Sequence, residues 1–262
     1  MTLEKTCVFA DTCKVAGQEE HCNFTCYPHA FMHGVENGSG GLWATTGVPN
    51  KYKAARLSNL PIEEANPKAY DIATKYVNSV LKFVIEKNAG LFLYSVPDEN
   101  NPFGTGTGKT TTAVTILNHF IIERSRAYLR GEMELHENPA IFVKATELQN
   151  SFNAQFRGTR EMQDNASIRY YKLKDAIKKT ELVVLDDIAT RNSRISEAFE
   201  DELYEILDYR SGQGKGATLF TSNVNMEELS KCLGDRIASR IAGMTVKVGF
   251  KGQDNRLDSL FK

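Results

Sequence analysis

The sequence predicts an α/β fold in which helices cover both faces of a parallel β-sheet. Two observations lead to this prediction: short apolar runs alternate with helix-like stretches from about residue 66 onward, and a glycine-rich loop joins the first run to a long helix. Strands separated by helices are typical of parallel sheets. The apolar runs span 91–95, 140–144, 182–186, 217–221 and 245–250, and the helix-like stretches between them span 110–128, 147–156, 168–179 and 196–209.

A further helix precedes the first strand, and its ends are marked in the sequence. Asn66 is a good capping residue, and Pro67 suits the first helical position because its missing N–H is not needed there. Apolar residues then recur at helical spacing until Gly90. We therefore expect a helix followed directly by the first strand.

Composition and charge exclude several classes of protein. Hydrophobic residues make up 41% and charged residues 25% of the chain, which is unlike a disordered, collagen-like or coiled-coil protein. No apolar run approaches the ~18 residues of a membrane span, and no signal peptide is recognisable, so we expect a cytoplasmic protein without a membrane partner. A net charge of −1 excludes a coat that binds nucleic acid by bulk charge.

The chain divides by composition into three parts. Residues 1–49 hold four of the five cysteines, and the Gly/Ser/Asn segment 36–41 is typical of a flexible connection. Residues 50–66 form a linker, and residues 67–262 carry the alternating pattern. A length of 262 residues suits one large domain with a small module.

The strongest functional signal is the segment Gly-Thr-Gly-Thr-Gly-Lys-Thr at 104–110, between the first strand and a long helix. Glycines let successive amides turn towards phosphate oxygens, and a helix N-terminus adds favourable partial charge. The pattern of a phosphate-binding loop asks for glycine where Phe103 stands, and an acidic, proline-containing lead-in precedes it, so the first turn is left open. The predicted nucleotide contacts are Gly104, Thr105, Gly106, Thr107, Gly108, Lys109, Thr110 and Thr111.

Two carboxylates follow the buried strand 182–186 and complete a predicted ATPase site. Asp186 fits the residue that holds Mg²⁺ together with the Thr110 hydroxyl, and Asp187 stands where many ATPases place a glutamate that polarises the attacking water. Because aspartate is one methylene shorter, we expect slow hydrolysis unless it is stimulated. Asn223 ends the fourth strand and is a candidate for a contact with the water or the γ-phosphate, or is an ordinary strand-ending residue.

Arginines near the end of the chain are candidate cations for the same site. Arg236 and Arg240 are four residues apart and share one helix face, and Arg256 follows in Gln-Asp-Asn-Arg. Surface arginines are common, so the residues alone leave open whether these are solvated or reach a γ-phosphate as an arginine finger.

From about residue 57 to 262 the chain resembles the AAA+ ATPases of the replicative helicase loader group (DnaC/DnaI-like). The resemblance lies in 104–110, in 182–188, in LFTSNVNMEEL at 219–229, in LGDRIASR at 233–240 and in 253–256. It implies a five-stranded sheet with the fourth strand between the two motif strands, Arg240 acting as a finger in trans beside Arg236, and Arg256 contacting the nucleotide in cis. It also implies self-association through the ATP site, a hexameric replicative helicase as partner and delivery onto single-stranded DNA.

Four cysteines near the amino terminus predict a zinc module. Cys7, Cys13, Cys22 and Cys26 have the spacing C-x5-C-x8-C-x3-C, and clustered thiols in a reducing compartment are typical of metal ligands rather than disulfides. The irregular spacing leaves open whether all four bind zinc or whether His29 or another histidine replaces one. Some loaders in the group carry an amino-terminal zinc domain, so by analogy residues 1–49 would dock on the helicase.

Aromatic and basic residues after the second strand are candidates for contact with single-stranded nucleic acid, because bases stack on aromatic rings and arginines track the backbone. They are Phe152, Phe156, Arg157 and Arg160, with core packing as the alternative for the aromatics. Two rival functions remain beside the loader: a transposition helper ATPase of the IstB type, and a nucleotide-gated DNA-binding adaptor with little hydrolysis.

Overall fold

A computed structural model describes residues 3–34, 40–99, 101–190, 195–212 and 216–254. The strands are β1 (Gly90–Ser95), β2 (Ala140–Lys144), β3 (Leu182–Asp186), β4 (Ala217–Ser222) and β5 (Thr245–Phe250). The helices are α1 (Tyr27–His33), α2 (Gly41–Ala44), α3 (Pro67–Asn78), α4 (Lys109–Leu129), α5 (Ala145–Ala154), α6 (Arg160–Lys179), α7 (Glu197–Gly212), α8 (Met226–Leu233) and α9 (Asp235–Met244). Of the described helices, none is long and apolar enough to cross a bilayer.

The five strands form one parallel sheet in the order β2-β3-β4-β1-β5. The α/β class and the five-stranded sheet are confirmed, and β4 lies between β1 and β3 as the resemblance implied. Because parallel strands run in one direction, their carboxyl ends meet at one edge of the sheet, where ligands of open α/β sheets bind. The ends of β1, β3 and β4 therefore stand side by side.

Alternate residues of the central strands pack on opposite faces of the sheet. In β3, Leu182 and Val184 pack on the same side as α4, whereas Val183 and Leu185 pack with α7 and α9. Since a strand that is covered on both faces has no solvent-facing side, β3 reads as an uninterrupted apolar run. The two faces together form the core that fixes the motif strands.

The amino-terminal residues pack on the α4 side of the same core. Phe9, Met32 and Trp43 are each at least nine-tenths buried in that cluster. The backbone N–H of Phe142 in β2 donates to the carbonyl of Thr46 at 2.7 Å, which continues the sheet edge towards this region. Residues 1–49 thus share apolar packing with 67–262, and the division of the chain into folding units stays a prediction.

A buried arginine that the sequence did not single out fastens α7 to the sheet. The Arg210 side chain is 2% exposed; its Nε donates to Thr218 Oγ1 at 2.7 Å and its terminal nitrogens donate to the carbonyls of Ile177, Thr180 and Ala217 at 2.7–2.9 Å. Burial lowers the pKa of Arg210 to about 10, so the group stays charged at neutral pH.

Replacing Arg210 by methionine is expected to lower the free energy of unfolding by about 3 kcal/mol, because several buried carbonyls lose their donor together. Urea unfolding of Arg210→Met measures the loss. Arg130→Met is the matched control, since the Arg130 side chain is 58% exposed and contacts the exposed Glu132 and the Arg126 carbonyl. Equal stability of the two variants would contradict the role given to Arg210.

Candidate nucleotide site

The loop between β1 and α4 has the backbone of a phosphate-binding loop. Gly104 and Gly108 have φ of +61° and +96°, a region that glycine adopts without strain. A Cβ on Gly104 would lie 2.4 Å from the Cβ of Ser95, and one on Gly108 would lie 2.4 Å from Ile62 Cγ2. Both positions therefore need glycine, and Gly108 leads directly into the first turn of α4, whose amides are suited to an anion.

Lys109 lies inside this loop and is 7% exposed. Its Nζ donates to Ser95 Oγ at 2.6 Å and to the carbonyl of Gly104 at 2.9 Å, and Thr107 Oγ1 is 3.4 Å away. The ammonium group is thus held within the cradle by oxygen atoms, as phosphate oxygens would hold it. Ser95 was missed from the sequence, although a hydroxyl at the end of the strand before the loop was a usable signal.

Thr110 and Asp186 meet at the edge of the sheet, as the magnesium prediction requires. Thr110 Oγ1 donates to Asp186 Oδ1 at 2.7 Å, and Thr221 Oγ1 donates to the same oxygen at 2.7 Å. Asp186 is 6% exposed. A carboxylate and a hydroxyl are hard oxygen donors that suit Mg²⁺, so these residues fit the ion. Thr221 is a second residue that the sequence did not reveal.

Asp187 is held in an unusual backbone conformation beside Asn223. Its φ is +55°, which aspartate tolerates better than most residues. The N–H of Asp187 donates to Thr221 Oγ1 at 2.8 Å, and Asn223 Nδ2 donates to Asp187 Oδ1 at 2.9 Å. Asn223 Oδ1 in turn lies 3.5 Å from Ser95 Oγ. The predicted water-polarising carboxylate and the residue after β4 therefore belong to one hydrogen-bonded group with the base of the phosphate loop.

The lead-in to the loop closes on a buried asparagine. Phe103, where the loop pattern asks for glycine, points outward and is 71% exposed. Asn101 is 5% exposed; its Oδ1 accepts from the N–H of Thr105 at 3.2 Å and its Nδ2 donates to the Thr105 carbonyl at 2.7 Å. The first turn, which the sequence left open, is thus shaped by Asn101, a residue that no sequence pattern marks.

The candidate finger arginines lie on α9, against α7. The Arg240 guanidinium donates to Tyr204 Oη at 3.0 Å and pairs with Asp208 Oδ1 at 2.6 Å, and these two contacts, the Tyr204 bond first, raise the pKa of Arg240. The Arg236 guanidinium lies over the Tyr204 ring, 4.1 Å from its centroid, and pairs with the exposed Asp201. These partners lie on α7 and none is in the phosphate loop. Both arginines are thus on the outer face of their own chain.

Comparison with known proteins identifies solved structures that have a similar fold. No protein-family model and no curated protein matches the chain. A DnaI structure has a TM-score of 0.56 at 22% identity, and the match covers 79% of this chain and 96% of the chain in that structure. A structure of the DnaC helicase loader has a TM-score of 0.55 at 19% identity, and the match covers 78% of this chain and 100% of the chain in that structure. The replication initiator DnaA, bound to AMPPCP and single-stranded DNA, has 0.53 at 18% identity over 78% of this chain and 51% of DnaA.

The chain shares the fold of the DnaI and DnaC structures. This loader fold confirms the resemblance stated from residues 57–262, and it extends along nearly the whole length of the DnaI and DnaC structures. Arg256, to which the resemblance gave a nucleotide contact in cis, lies outside the described residues. The roles of the individual site residues stay predictions.

The four amino-terminal cysteines surround one small cavity. The side chains that line it with them include His29 and His21. Burial raises the pKa of the Cys7 thiol, and the other three thiols lie near enough to raise it further. His29 is 4% exposed, and its Nδ1 has no hydrogen-bond partner among the described residues. In the described ranges no three His, Cys, Asp or Glu side chains are arranged to hold a metal ion, so the zinc ligand set stays a prediction.

The candidate nucleic-acid residues separate into core and surface. Phe152 is a core residue rather than a nucleic-acid contact: it is 6% exposed and packs against Tyr170 and Phe199. Phe156 is 67% exposed and meets Phe152 edge to face at 5.3 Å. Arg157 lines an open groove between α5 and α6. Phe156 and Arg157 therefore lie at the surface, whereas Phe152 lies on the buried face of α5.

Proposed function

We propose that this chain is an ATP-dependent loader that binds a hexameric replicative DNA helicase and helps deliver it onto single-stranded DNA. The observation that carries the proposal is the assembled site at the carboxyl edge of the sheet, on a fold shared with the DnaC helicase loader. The site supports the proposed hydrolysis of the γ-phosphate of ATP. The shared fold supports the proposed role as a partner of a replicative helicase.

In this proposal the loop amides at 104–108 and the Lys109 ammonium bind the phosphates. Thr110 and Asp186 would hold Mg²⁺, which would supply positive charge to offset that of the phosphates. Asp187 accepts a hydrogen bond from the attacking water, and Asn223 fixes the orientation of that carboxylate through the 2.9 Å bond. The Asp187 side chain is short and already engaged by Asn223, so basal turnover is slow until assembly or DNA stimulates it.

Arg240 completes the site of a neighbouring copy. Its guanidinium lies on the outer face of α9, paired with Asp208 and Tyr204 of its own chain. An arginine finger stabilises charge on the transferring phosphoryl group, and it acts in trans when its own site is out of reach. ATP would therefore join copies of the chain side by side, with Arg236 next to the finger and Arg256 contacting the nucleotide in cis.

The amino-terminal residues 1–49 form the proposed helicase-docking module, and Zn²⁺ is its proposed structural ion. Four thiols around one cavity supply a donor set that tetrahedral zinc prefers. The buried Nδ1 of His29 has no hydrogen-bond partner in the described part of the chain, which supports a set of three cysteines and one histidine as the alternative. Zinc bound there would cross-link the segment that carries the four cysteines.

One zinc ion per chain is expected in the purified protein, because four thiolates, or three with an imidazole, satisfy one tetrahedral ion. Metal analysis measures it, and Cys22→Ser is expected to lose the ion while Cys232→Ser, which changes a cysteine on α8, keeps it. His29→Gln tests the histidine: loss of zinc assigns His29 to the ligand set, and retention of zinc removes it from the set. Wild-type protein that contains no zinc and takes none up would contradict the module.

Phe156 and Arg157 are the proposed contacts with single-stranded DNA, since both lie at the surface next to an open groove. The double variant Phe156→Ala, Arg157→Ala is expected to weaken binding of a fluorescent oligonucleotide by about tenfold. Lys75→Ala on α3 is the control for a lost surface cation. Unchanged binding by the double variant would remove these two residues from the proposal.

The test of the function is native mass spectrometry of the tagged protein, isolated from its own host with ATP and Mg²⁺ and, as a control, with ADP. A complex with a hexameric helicase in ATP is the expected result. A transposase in its place would replace the loader with the transposition helper of the IstB type. Isolation of the tagged protein without any bound partner would overturn the proposal that it binds a helicase.

A second function, a nucleotide-gated DNA-binding adaptor with little hydrolysis, is favoured by the short Asp187 carboxylate and its bond to Asn223. Phosphate release with saturating single-stranded DNA separates the two functions. Turnover that DNA stimulates supports the loader, whereas nucleotide-dependent DNA binding without turnover supports the adaptor.

A further inference from the structure

A short segment after β5 crosses the phosphate loop. We call residues 251–254 the carboxy-terminal strap. Its first residue is fixed by Asn66, which is 6% exposed: Asn66 Nδ2 donates to the Lys251 carbonyl at 2.9 Å, and the Lys251 N–H donates to Asn66 Oδ1 at 2.8 Å. A reciprocal pair of this kind sets both the position and the direction of the chain as it leaves the sheet.

Asn101 joins the strap to the phosphate loop. The same Nδ2 that donates to the Thr105 carbonyl also donates to the Gly252 carbonyl at 2.9 Å. One buried amide therefore contacts both segments, and a shift of either one is felt by the other.

Asp254 brings a carboxylate onto the loop itself. Thr105 Oγ1 donates to Asp254 Oδ2 at 2.7 Å. At Gly106 a Cβ would stand only 1.7 Å from Asp254 Oδ1, so the carboxylate lies in the space that the missing side chain leaves. An anion thus rests against a loop whose proposed ligand is also an anion.

We infer that Asp254 sets the affinity of the nucleotide site. Its carboxylate competes with the phosphates of a nucleoside di- or triphosphate for Thr105 and Gly106, because two anions repel each other at short distance. Nucleotide binding then displaces Asp254 from Thr105. Through Asn101 and Gly252 this displacement moves the strap, which leads two residues later to Arg256. The inference rests on the proposed ATPase site.

The test is the Kd of a fluorescent ADP for Asp254→Asn, which keeps the shape of the side chain and removes its charge. We expect about tenfold tighter binding than in the wild type. Because the effect is electrostatic, the ratio of the two Kd values falls as salt rises from about 50 mM to 500 mM. Asp71→Asn, an exposed carboxylate on α3, is the control for net charge and leaves the Kd unchanged. Asp254→Ser repeats the test with a different side chain.

The outcomes separate this inference from the function on which it rests. If the wild type binds nucleotide and Lys109→Ala does not, the nucleotide site stands; equal or weaker binding by both Asp254 variants then overturns only the role of Asp254. A ratio of Kd values that is insensitive to salt also overturns it, since a purely structural clasp would behave in that way. A wild type that binds no nucleotide overturns both.

Discussion

Lys109→Ala is expected to lose nucleotide binding and to reduce ATP turnover by at least about a hundredfold. Lys109 is 7% exposed, and its ammonium group lies inside the loop, 2.6 Å from Ser95 Oγ and 2.9 Å from the Gly104 carbonyl. Alanine leaves these oxygens and the phosphates of a bound nucleotide without a cation. Phosphate release and the binding of fluorescent ADP measure the two losses.

The control for this variant is Lys75→Ala, an exposed lysine on α3, which is expected to bind and hydrolyse as the wild type does. Thermal unfolding of Lys109→Ala shows whether the loop still folds, and Lys109→Met, which keeps the apolar stem, serves if alanine destabilises the protein. Full turnover by a folded Lys109 variant would remove the phosphate loop from the proposed chemistry.

The sheet and the residues at its edge were predictable because local and long-range signals agree there. The uninterrupted apolar run of β3 is typical of a strand buried on both faces. Because the run ends at Asp186, the sequence alone places that carboxylate at the end of the strand. The glycines at 104 and 108 mark backbone that other residues reach only with strain. At these positions the residue type alone predicts the local backbone geometry.

Other parts of the site depend on contacts between distant segments, which no local pattern records. Thr221 contacts both Asp186 and Asp187, although 34 residues separate it from the nearer of the two. Asp254 reaches Thr105 across 149 residues. A threonine in a strand or an aspartate in a polar tail has nothing local to distinguish it. Phe152 shows the opposite error, because an aromatic residue beside arginines suits both a core and a nucleic-acid surface.

Arg240→Ala is expected to lower ATP turnover of the assembled protein by about a hundredfold or more while nucleotide binding to the single chain is unchanged. The reason is its place on α9, where its contacts are Tyr204 and Asp208 rather than any residue of its own phosphate loop. Turnover at a concentration that supports assembly, compared with the Kd for fluorescent ADP, measures the separation. Arg130→Ala, at the exposed end of α4, is the control.

A mixture of two inactive variants tests whether Arg240 acts in trans. In Lys109→Ala the phosphate loop is disabled but Arg240 is intact, and in Arg240→Ala the reverse holds. When the two are mixed in equal amounts, some interfaces pair an intact loop with an intact Arg240, so about a quarter of the wild-type turnover is expected if copies pair at random. No recovery in a mixture that still assembles would mean that Arg240 serves its own chain, because each variant would then carry its defect into every interface.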